Sequence, residues 1–141
     1  MATFVMFQDF AEQLGKGTHQ LHAAGHTLKV YLSNAAPSAS ADAVKADLAE
    51  ISAADGYTAG GADIQNDFTE SGGTGTLTGV DVEWTAGAEI GPFQYAVVYN
   101  DTAGSDNLVC YWADDAPVTL AVGEKYKVDF GAAILTIGPA A

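Results

Sequence analysis

Three histidines near the start of the chain have the spacing that could hold a metal ion. His19, His22 and His26 lie at i, i+3 and i+7, so a helix would align the three imidazoles, and neutral imidazoles bind zinc well. Glycines bracket the segment, and neither a cysteine nor an acid lies among the histidines. These breaks are typical of a polar loop or a first strand. We therefore predict no metal ligands here.

Two carboxylates, Asp81 and Glu83, form the pattern closest to a catalytic pair. Glycoside hydrolysis uses two carboxyl groups roughly 5–9 Å apart, and residues i and i+2 of a strand lie close enough. Their strand carries Val80, Val82 and Trp84 on the opposite face, which places the carboxylates on the solvated side. The sequence contains neither a Gly-x-Ser-x-Gly nor a Gly-Lys-Ser/Thr motif. We predict no catalytic residue and no enzyme activity.

Oxygen-bearing side chains concentrate in the segment from Asn100 to Asn107, and Asp114-Asp115 lie near the next strand end. Such loops can hold calcium. The spacing lacks the alternating ligands of an EF-hand, and Asn, Asp and Gly also occur in ordinary turns. Whether a divalent cation binds the loop is left open, and no cofactor is predicted.

Several aromatic residues could form a sugar-stacking platform, as in a carbohydrate-binding or receptor-binding β-sandwich module. The alternative is that large rings fill a core short of other large side chains. Tyr111 and Trp112 are adjacent and must point to opposite faces of a strand, so we favour core packing plus a subunit contact. Cys110 is predicted to be a core residue. The aromatic residues concerned are Tyr57, Trp84, Tyr95, Tyr99, Tyr111 and Trp112.

Composition excludes several classes of partner. The 141 residues include 18 acids, five lysines and no arginine, for a formal charge of −13. Binding to nucleic acid needs cations that neutralise phosphates, and an anionic membrane surface is disfavoured for the same reason. No apolar run approaches the ~20 residues of a spanning helix, and the first ten residues lack the positive flank of a secretory signal. We expect a soluble, acidic protein.

Hydrophobic periodicity and turn residues predict the elements that position these side chains. Val, Ile, Leu and Phe number only 31, which predicts a thin core. Short helices are expected at 3–14, capped by Thr3 and ended by Gly15, and at 42–51. Strands are predicted at 27–33, 62–69, 75–84, 92–99, 107–113, 117–122, 125–130 and 133–137.

These elements predict a mainly β fold: an antiparallel β-sandwich or barrel of about 7–8 strands with one or two short N-terminal helices. Residues 1–141 form one domain, with an N-terminal arm or helix at 1–26 and the β domain at 27–141. The strands on either side of Asn100–Asn107 form a hairpin with a long polar tip. Gly123-Glu124 predicts a second, tight hairpin.

Several segments resemble small structural proteins of tailed bacteriophages. The resemblance covers roughly residues 4–137, and its motifs are turn and strand patterns. They are Leu28-Lys29-Val30-Tyr31-Leu32-Ser33-Asn34-Ala35-Ala36-Pro37, Gly56-Tyr57-Thr58-Ala59-Gly60-Gly61, Trp84-Thr85-Ala86, Ile90-Gly91-Pro92-Phe93-Gln94-Tyr95-Ala96-Val97-Val98-Tyr99-Asn100-Asp101-Thr102, Val118-Thr119-Leu120-Ala121-Val122-Gly123-Glu124 and Val128-Asp129-Phe130.

The resemblance implies a virion structural protein without catalytic residues. The expected role is that of a capsid decoration (cement) protein on the outer head surface, with the major capsid protein as partner and a homotrimer as the oligomer, since capsids offer threefold junctions. A tail or minor virion protein is the alternative. Candidate assembly contacts are Phe4, Phe7 and Phe10, as an N-terminal anchor, together with Tyr111 and Trp112.

Overall fold

A computed structural model describes residues 2–138 of the chain. Ten strands and one α-helix follow each other along this part of the sequence, and a 3-10 turn at Lys45–Asp47 lies after the second strand. In order, the elements are β1 (Thr3–Met6), α1 (Gln8–Gly15), β2 (Leu28–Ser33), β3 (Ala62–Asp63), β4 (Asp67–Ser71), β5 (Thr74–Thr78), β6 (Val82–Thr85), β7 (Ile90–Asn100), β8 (Leu108–Leu120), β9 (Lys125–Val128) and β10 (Leu135–Ile137).

The largest sheet is antiparallel and has the strand order β1-β8-β7-β2-β3. Its centre is the predicted hairpin of β7 and β8, in which Val97 lies opposite Tyr111 and Asn100–Asn107 form the tip. β8 is one strand of 13 residues, whereas two strands were predicted at 107–113 and 117–122. β2 adds to β7 with Tyr31 opposite Val97.

Two smaller sheets, β10-β5-β4 and β6-β9, cover one face of the large sheet. Leu28, Val30 and Leu32 of β2 pack there in one cluster with Leu77 of β5 and Trp84 of β6. The predicted mainly β, antiparallel, sandwich-like class is confirmed. Within residues 2–138 the sheets do not close into a barrel.

The opposite face of the large sheet is covered as well. Tyr31, Val97 and Tyr99 of the sheet form a second buried cluster, which Phe7 and Leu48 complete from outside the sheet strands. β2 therefore is buried on both faces, except at Lys29, and is not the half-buried strand that its alternation predicted. The thin core is divided into two layers around one central sheet.

The N-terminal segment differs from the predicted helix at 3–14. Residues Thr3–Met6 form β1, paired with β8 so that Phe4 lies opposite Trp112, and the helix begins only at Gln8. Phe7 marks the change, since its backbone is extended and its side chain makes no capping bond. The helix ends at Gly15 as predicted. The short apolar run Phe4-Val5-Met6 is also compatible with a strand, and the long β8 strand provides its partner.

The predicted helix at 42–51 is also wrong, because this segment crosses the face of the sheet in an extended form with a single 3-10 turn. Asp47 Oδ2 accepts the backbone N–H groups of Ala43 (2.8 Å) and Val44 (3.1 Å). Glu50 then forms a bridge with Ser33 of β2. Local capping and pairing with the sheet thus outweigh helix propensity.

Three further predictions about strands are corrected. The stretch 62–69 is split into β3 and β4 by Gln65, whose φ is 49°, and 75–84 is split into β5 and β6, which belong to different sheets. Gly123-Glu124 forms a turn, but β9 after it pairs with β6 and not with β8.

Among residues 2–138, no helix has the length and apolar character needed to cross a bilayer.

Candidate assembly surface

The pairing of β1 with β8 brings the predicted assembly contacts together. Phe4 lies against Trp112, with ring centroids 5.3 Å apart, and Phe7 lies against Tyr111 at 5.1 Å. Tyr111 and Trp112 point to opposite faces of the sheet, as predicted, because Tyr111 belongs to one core cluster and Trp112 packs against the other. Neither of these two side chains is exposed.

Phe7 and Phe10 do not present their rings to solvent. Phe7 is 0% exposed and Phe10 is 1% exposed, so in this conformation their side chains are not available to a partner. The Phe7 N–H donates to the Val109 carbonyl oxygen at 3.1 Å, and the Gln8 N–H donates to the Ala39 oxygen at 2.9 Å. The predicted arm at 1–26 is therefore built into the β domain up to α1, because these two phenylalanines complete its cores.

Phe4 is partly exposed and is part of an apolar surface at one edge of the sandwich. Phe4 is 39%, Met6 41% and Ile137 39% exposed. An open groove of about 330 Å³ lies between β1, α1 and β10. Its lining includes Met6, Phe10, Ala11, Leu14, Thr136 and Ile137. We call the three exposed side chains and this groove the open edge.

The backbone of β1 is also available at the open edge, because β1 is the outermost strand of its sheet. In an antiparallel ladder, hydrogen-bonded and non-hydrogen-bonded pairs alternate. Since the Phe7 N–H bonds to Val109, the Phe4 and Met6 backbone groups point away from β8. Thr3–Met6 contain neither a charged residue nor a proline, the usual devices that protect an edge strand from pairing with another chain.

Sequence patterns did not single out Met6 and Ile137 as parts of a surface. Both residues look like ordinary members of short apolar runs, and β1 and β10 are separated by almost the whole chain. Thr3–Met6 show no polar/apolar alternation, and only the strand geometry puts Phe4 and Met6 on one face.

The charged side chains of the protein are mostly acidic. Each of the five lysines has an acidic partner: Lys16 pairs with Glu12, Lys29 with Asp101, Lys45 with Glu50, Lys125 with Glu83 and Lys127 with Asp81. The chain has 18 acids and five lysines, so acids outnumber lysines by 13. The open edge is thus an uncharged strip on an acidic protein.

Many of the remaining acids stabilise turns. Asp42 accepts the backbone N–H of Ser38, Glu70 that of Gly73, and Glu124 that of Ala121, all at 2.7 Å. The two N–H groups that Asp47 accepts lower the pKa of its carboxyl. The negative charge therefore has a local structural use, because carboxylates cap the loops of a chain that is rich in turns.

The carboxylates considered as a catalytic pair are held by lysines. Asp81 lies 3.4 Å from Lys127 and Glu83 lies 3.8 Å from Lys125. Asp81 also accepts the Phe130 N–H at 2.9 Å, and this hydrogen bond, followed by Lys127, lowers the pKa of its carboxyl. Asp81 precedes β6, and Val80 is 54% exposed, so Val80 does not share the apolar face that was predicted for it.

The histidine segment is a loop, and two of its rings turn inward. His19 and His26 both contact Asn100, whereas His22 is exposed. Across the Asn100–Asn107 tip, Asp101 pairs with Lys29. Residues 2–138 contain no cluster of three or more His, Cys, Asp or Glu side chains arranged to hold a metal ion.

The six aromatic residues considered as a platform lie mainly inside. Tyr57, Trp84, Tyr99 and Tyr111 are buried, and Tyr95 and Trp112 are half-buried. Tyr57 packs on Trp84 with ring centroids 5.6 Å apart. Cys110 is fully buried, as predicted, and burial raises the pKa of its thiol. These rings supply core volume and do not form an exposed flat surface.

Comparison of the chain with protein-family models, with curated protein sequences and with solved structures gives no match. The open edge is therefore described from its own geometry. Exposed apolar side chains, an unprotected strand and an adjoining groove together form a surface suited to contact with another protein. Binding of a small molecule would instead favour an enclosed pocket with a few convergent polar groups.

Proposed function

We propose that the protein is a virion structural protein of a tailed bacteriophage, a decoration protein that attaches to the outer surface of the head. The observation that carries the proposal is the open edge, where Phe4, Met6 and Ile137 are each about two-fifths exposed on a chain of net charge −13. Burying this strip against another protein would add the apolar contact that a thin core lacks.

The charge supports an outward position. A protein of net charge −13 whose five lysines all have acidic partners offers no unpaired lysine to packaged DNA and would be repelled by it. On the outer face of a shell, the same charge keeps neighbouring particles apart and soluble. The resemblance of the β2, β7 and β8 segments to phage structural proteins supports the virion itself as the location.

The proposed partner is the major capsid protein, and the proposed oligomer is a homotrimer at threefold junctions of the shell. Copies around such a junction can bury the open edge of each one against its neighbour or against the capsomer beneath. Phe4 is the most exposed of the predicted contacts, at 39%, whereas Phe7 and Phe10 are buried, so the attachment is assigned to Phe4 and Met6.

Cryo-electron microscopy of virions from the phage that encodes this chain tests the proposal. We expect density for the fold at many symmetry-related positions on the outside of the head, with β1 facing the contact. A small number of copies on the tail would favour a tail protein instead. Absence of the chain from purified virions would overturn the proposal.

A further inference from the structure

The loop of residues 17–27, which carries the three histidines, is fastened to the sheet through Asn100 at the end of β7. The Asn100 Nδ2 lies 3.0 Å from His19 Nδ1 and 2.9 Å from His26 Nδ1. The other atom of the amide, Oδ1, accepts the backbone N–H groups of Thr102 (3.0 Å) and Ala103 (3.1 Å). Asn100 itself is 0% exposed.

A second buried asparagine strengthens the attachment. Asn66 donates from Nδ2 to the carbonyl oxygens of Leu21 (2.8 Å) and His26 (3.0 Å), and its Oδ1 accepts the Leu28 N–H at 2.9 Å. The loop is thus held by polar side chains that enter it from outside, and Leu21 is its main apolar contact in the core.

This geometry fixes the tautomer of the two neutral imidazoles. An amide Nδ2 group can only donate, so the Nδ1 atoms of His19 and His26 must both accept, and each neutral ring carries its proton on Nε2. Rotation of the Asn100 amide cannot relieve a conflict, because Oδ1 is needed by Thr102 and Ala103. A proton added at His19 Nδ1 would set its N–H group against the donating Nδ2 group of Asn100.

His19 lies in a buried site. The side chain is 6% exposed, its Nε2 has no hydrogen-bond partner, and its ring centroid lies 5.1 Å from that of Phe10. Burial, and then the neighbouring His26, lower the pKa of His19 to about 4, while Asp9 of α1 acts in the opposite direction. At the end of β7, the charges of Asp101 and Lys29 are paired with each other.

We propose that the 17–27 loop is an acid-released latch, in which proton uptake at His19 Nδ1 breaks the contact with Asn100 and frees the loop from the sheet. A proton is gained from solvent and no covalent bond changes. The protonated ring is excluded from the closed loop because Asn100 can offer it only a donor.

The direction of the pH effect follows from the difference in the pKa of His19 between the open and the closed loop. The open loop takes up a proton near the ordinary pKa of 6.5, whereas the closed loop does so only near 4. The closed loop therefore has its full stability above about pH 6.5, and it loses stability progressively as the pH falls towards 4. From these two values the opening equilibrium increases about 20-fold between pH 7 and pH 5, and about 300-fold in the acid limit.

Release of the latch would also alter the open edge. Phe10 lines the groove with Met6 and Ile137 and stacks on His19, so departure of the loop uncovers the inner side of Phe10. This consequence rests on the proposed function, since it concerns attachment to a partner. The latch itself can be measured on the isolated protein.

Two measurements on the intact chain test the latch. Nitrogen-15 NMR of the imidazoles at pH 7 should show His19 and His26 with the proton on Nε2. Amide hydrogen exchange, corrected for the intrinsic effect of pH, should show opening of residues 18–27 increasing about 20-fold between pH 7 and pH 5. β7 and β8 should change far less.

Matched variants separate the latch from general acid sensitivity. His19→Gln keeps an acceptor for Asn100 but cannot titrate in this range, so its loop should lose most of the pH dependence. His22→Gln removes an exposed histidine of the same loop and should behave like the natural chain.

A loop whose opening does not depend on pH, a His19 proton on Nδ1 at pH 7, or full pH dependence in His19→Gln would overturn the inference. If His19→Gln does not fold, the tautomer and exchange data on the natural chain decide. Binding to phage heads at pH 7 and at pH 5 forms a separate arm. Failure to bind at either pH counts against the proposed function and not against the latch.

Discussion

The two edges of the large sheet are finished in opposite ways. At the β3 edge, residues 45–61 lie along β2, and the Glu50 carboxylate accepts the Tyr57 hydroxyl (2.6 Å) and the Gly60 N–H (2.7 Å). At the β1 edge no polar group of this kind covers the strand in residues 2–138, and Phe4 and Met6 face solvent. One edge is sealed by the chain itself, and the other is left for a neighbour.

We call the β3 edge, covered by residues 45–61, the sealed edge. A few polar groups hold this segment in place. Glu50 also pairs with Lys45 at 2.9 Å, and the Lys45 ammonium lies 4.8 Å from the centroid of the Tyr31 ring. Gly61, with φ of 80°, is needed at the start of β3 because a Cβ there would collide with the Val30 carbonyl oxygen. Glu50 thus accepts three donors, from Lys45, Tyr57 and Gly60, at this edge.

The largest expected effect is in the N-terminal segment, where the exposed Phe4 and the buried Phe7 lie three residues apart. Phe7→Ala removes a fully buried ring from the second core cluster and should lower the free energy of unfolding by about 3–5 kcal/mol. Phe4→Ala removes a ring that is already 39% exposed and should cost only about 1–2 kcal/mol.

Urea unfolding of both variants, followed by tryptophan fluorescence, measures this difference. The Phe4→Ala variant serves as the matched control for Phe7→Ala, since both lose the same side chain. Equal losses of stability would mean that Phe4 of β1 belongs to the core as fully as Phe7 does, and the description of an open edge would fail.

The second-largest loss of stability is expected from a substitution at the sealed edge. Glu50→Ala leaves the Lys45 ammonium, the Tyr57 hydroxyl and the Gly60 N–H without their acceptor in a half-buried site. Removing one partner of such a group is expected to cost about 3 kcal/mol. Glu89→Ala is the control, because Glu89 is exposed and its loss should change stability by less than about 0.5 kcal/mol.

Thermal unfolding at pH 7 compares the two glutamate variants. A Glu50→Ala protein as stable as the Glu89→Ala control would show that the network around Glu50 adds no stability. The difference between the two edges would then lie in exposure alone.

The contrast between the edges also marks what the sequence could predict. β2 was predicted because its alternation is long. The β7–β8 hairpin was predicted because its two strands follow each other along the chain. β1 was predicted as helix because the i, i+3 spacing of Phe4, Phe7 and Phe10 fits a helix over so short a window. Its actual partner, β8, lies about a hundred residues away, and no local pattern carries that information.

The candidate contacts show the same limit. A phenylalanine in an amphipathic stretch can be buried in its own core or against another chain, and composition does not distinguish the two. Phe7 and Phe10 are buried within the chain, and Phe4 remains partly exposed. Ile137 joins the open edge only because the sandwich brings β10 beside α1, which required the three-dimensional fold.

The smallest expected change in stability tests the open edge most directly. Met6→Lys places a charge on a side chain that is already 41% exposed, so the free energy of unfolding should change by less than about 0.5 kcal/mol. Attachment to the partner should be lost, because an ammonium in the contact would have to be desolvated without an acid to pair with it. Co-sedimentation with purified phage heads measures attachment.

Val122→Lys is the matched control for Met6→Lys. Val122 is 71% exposed in the turn between β8 and β9, and the substitution changes the net charge by the same one unit. If both variants still co-sediment with heads, the open edge is not the attachment surface. If both fail, net charge rather than position governs binding. Only loss with Met6→Lys and retention with Val122→Lys assigns attachment to the open edge, because position is then the only difference between two equal charges.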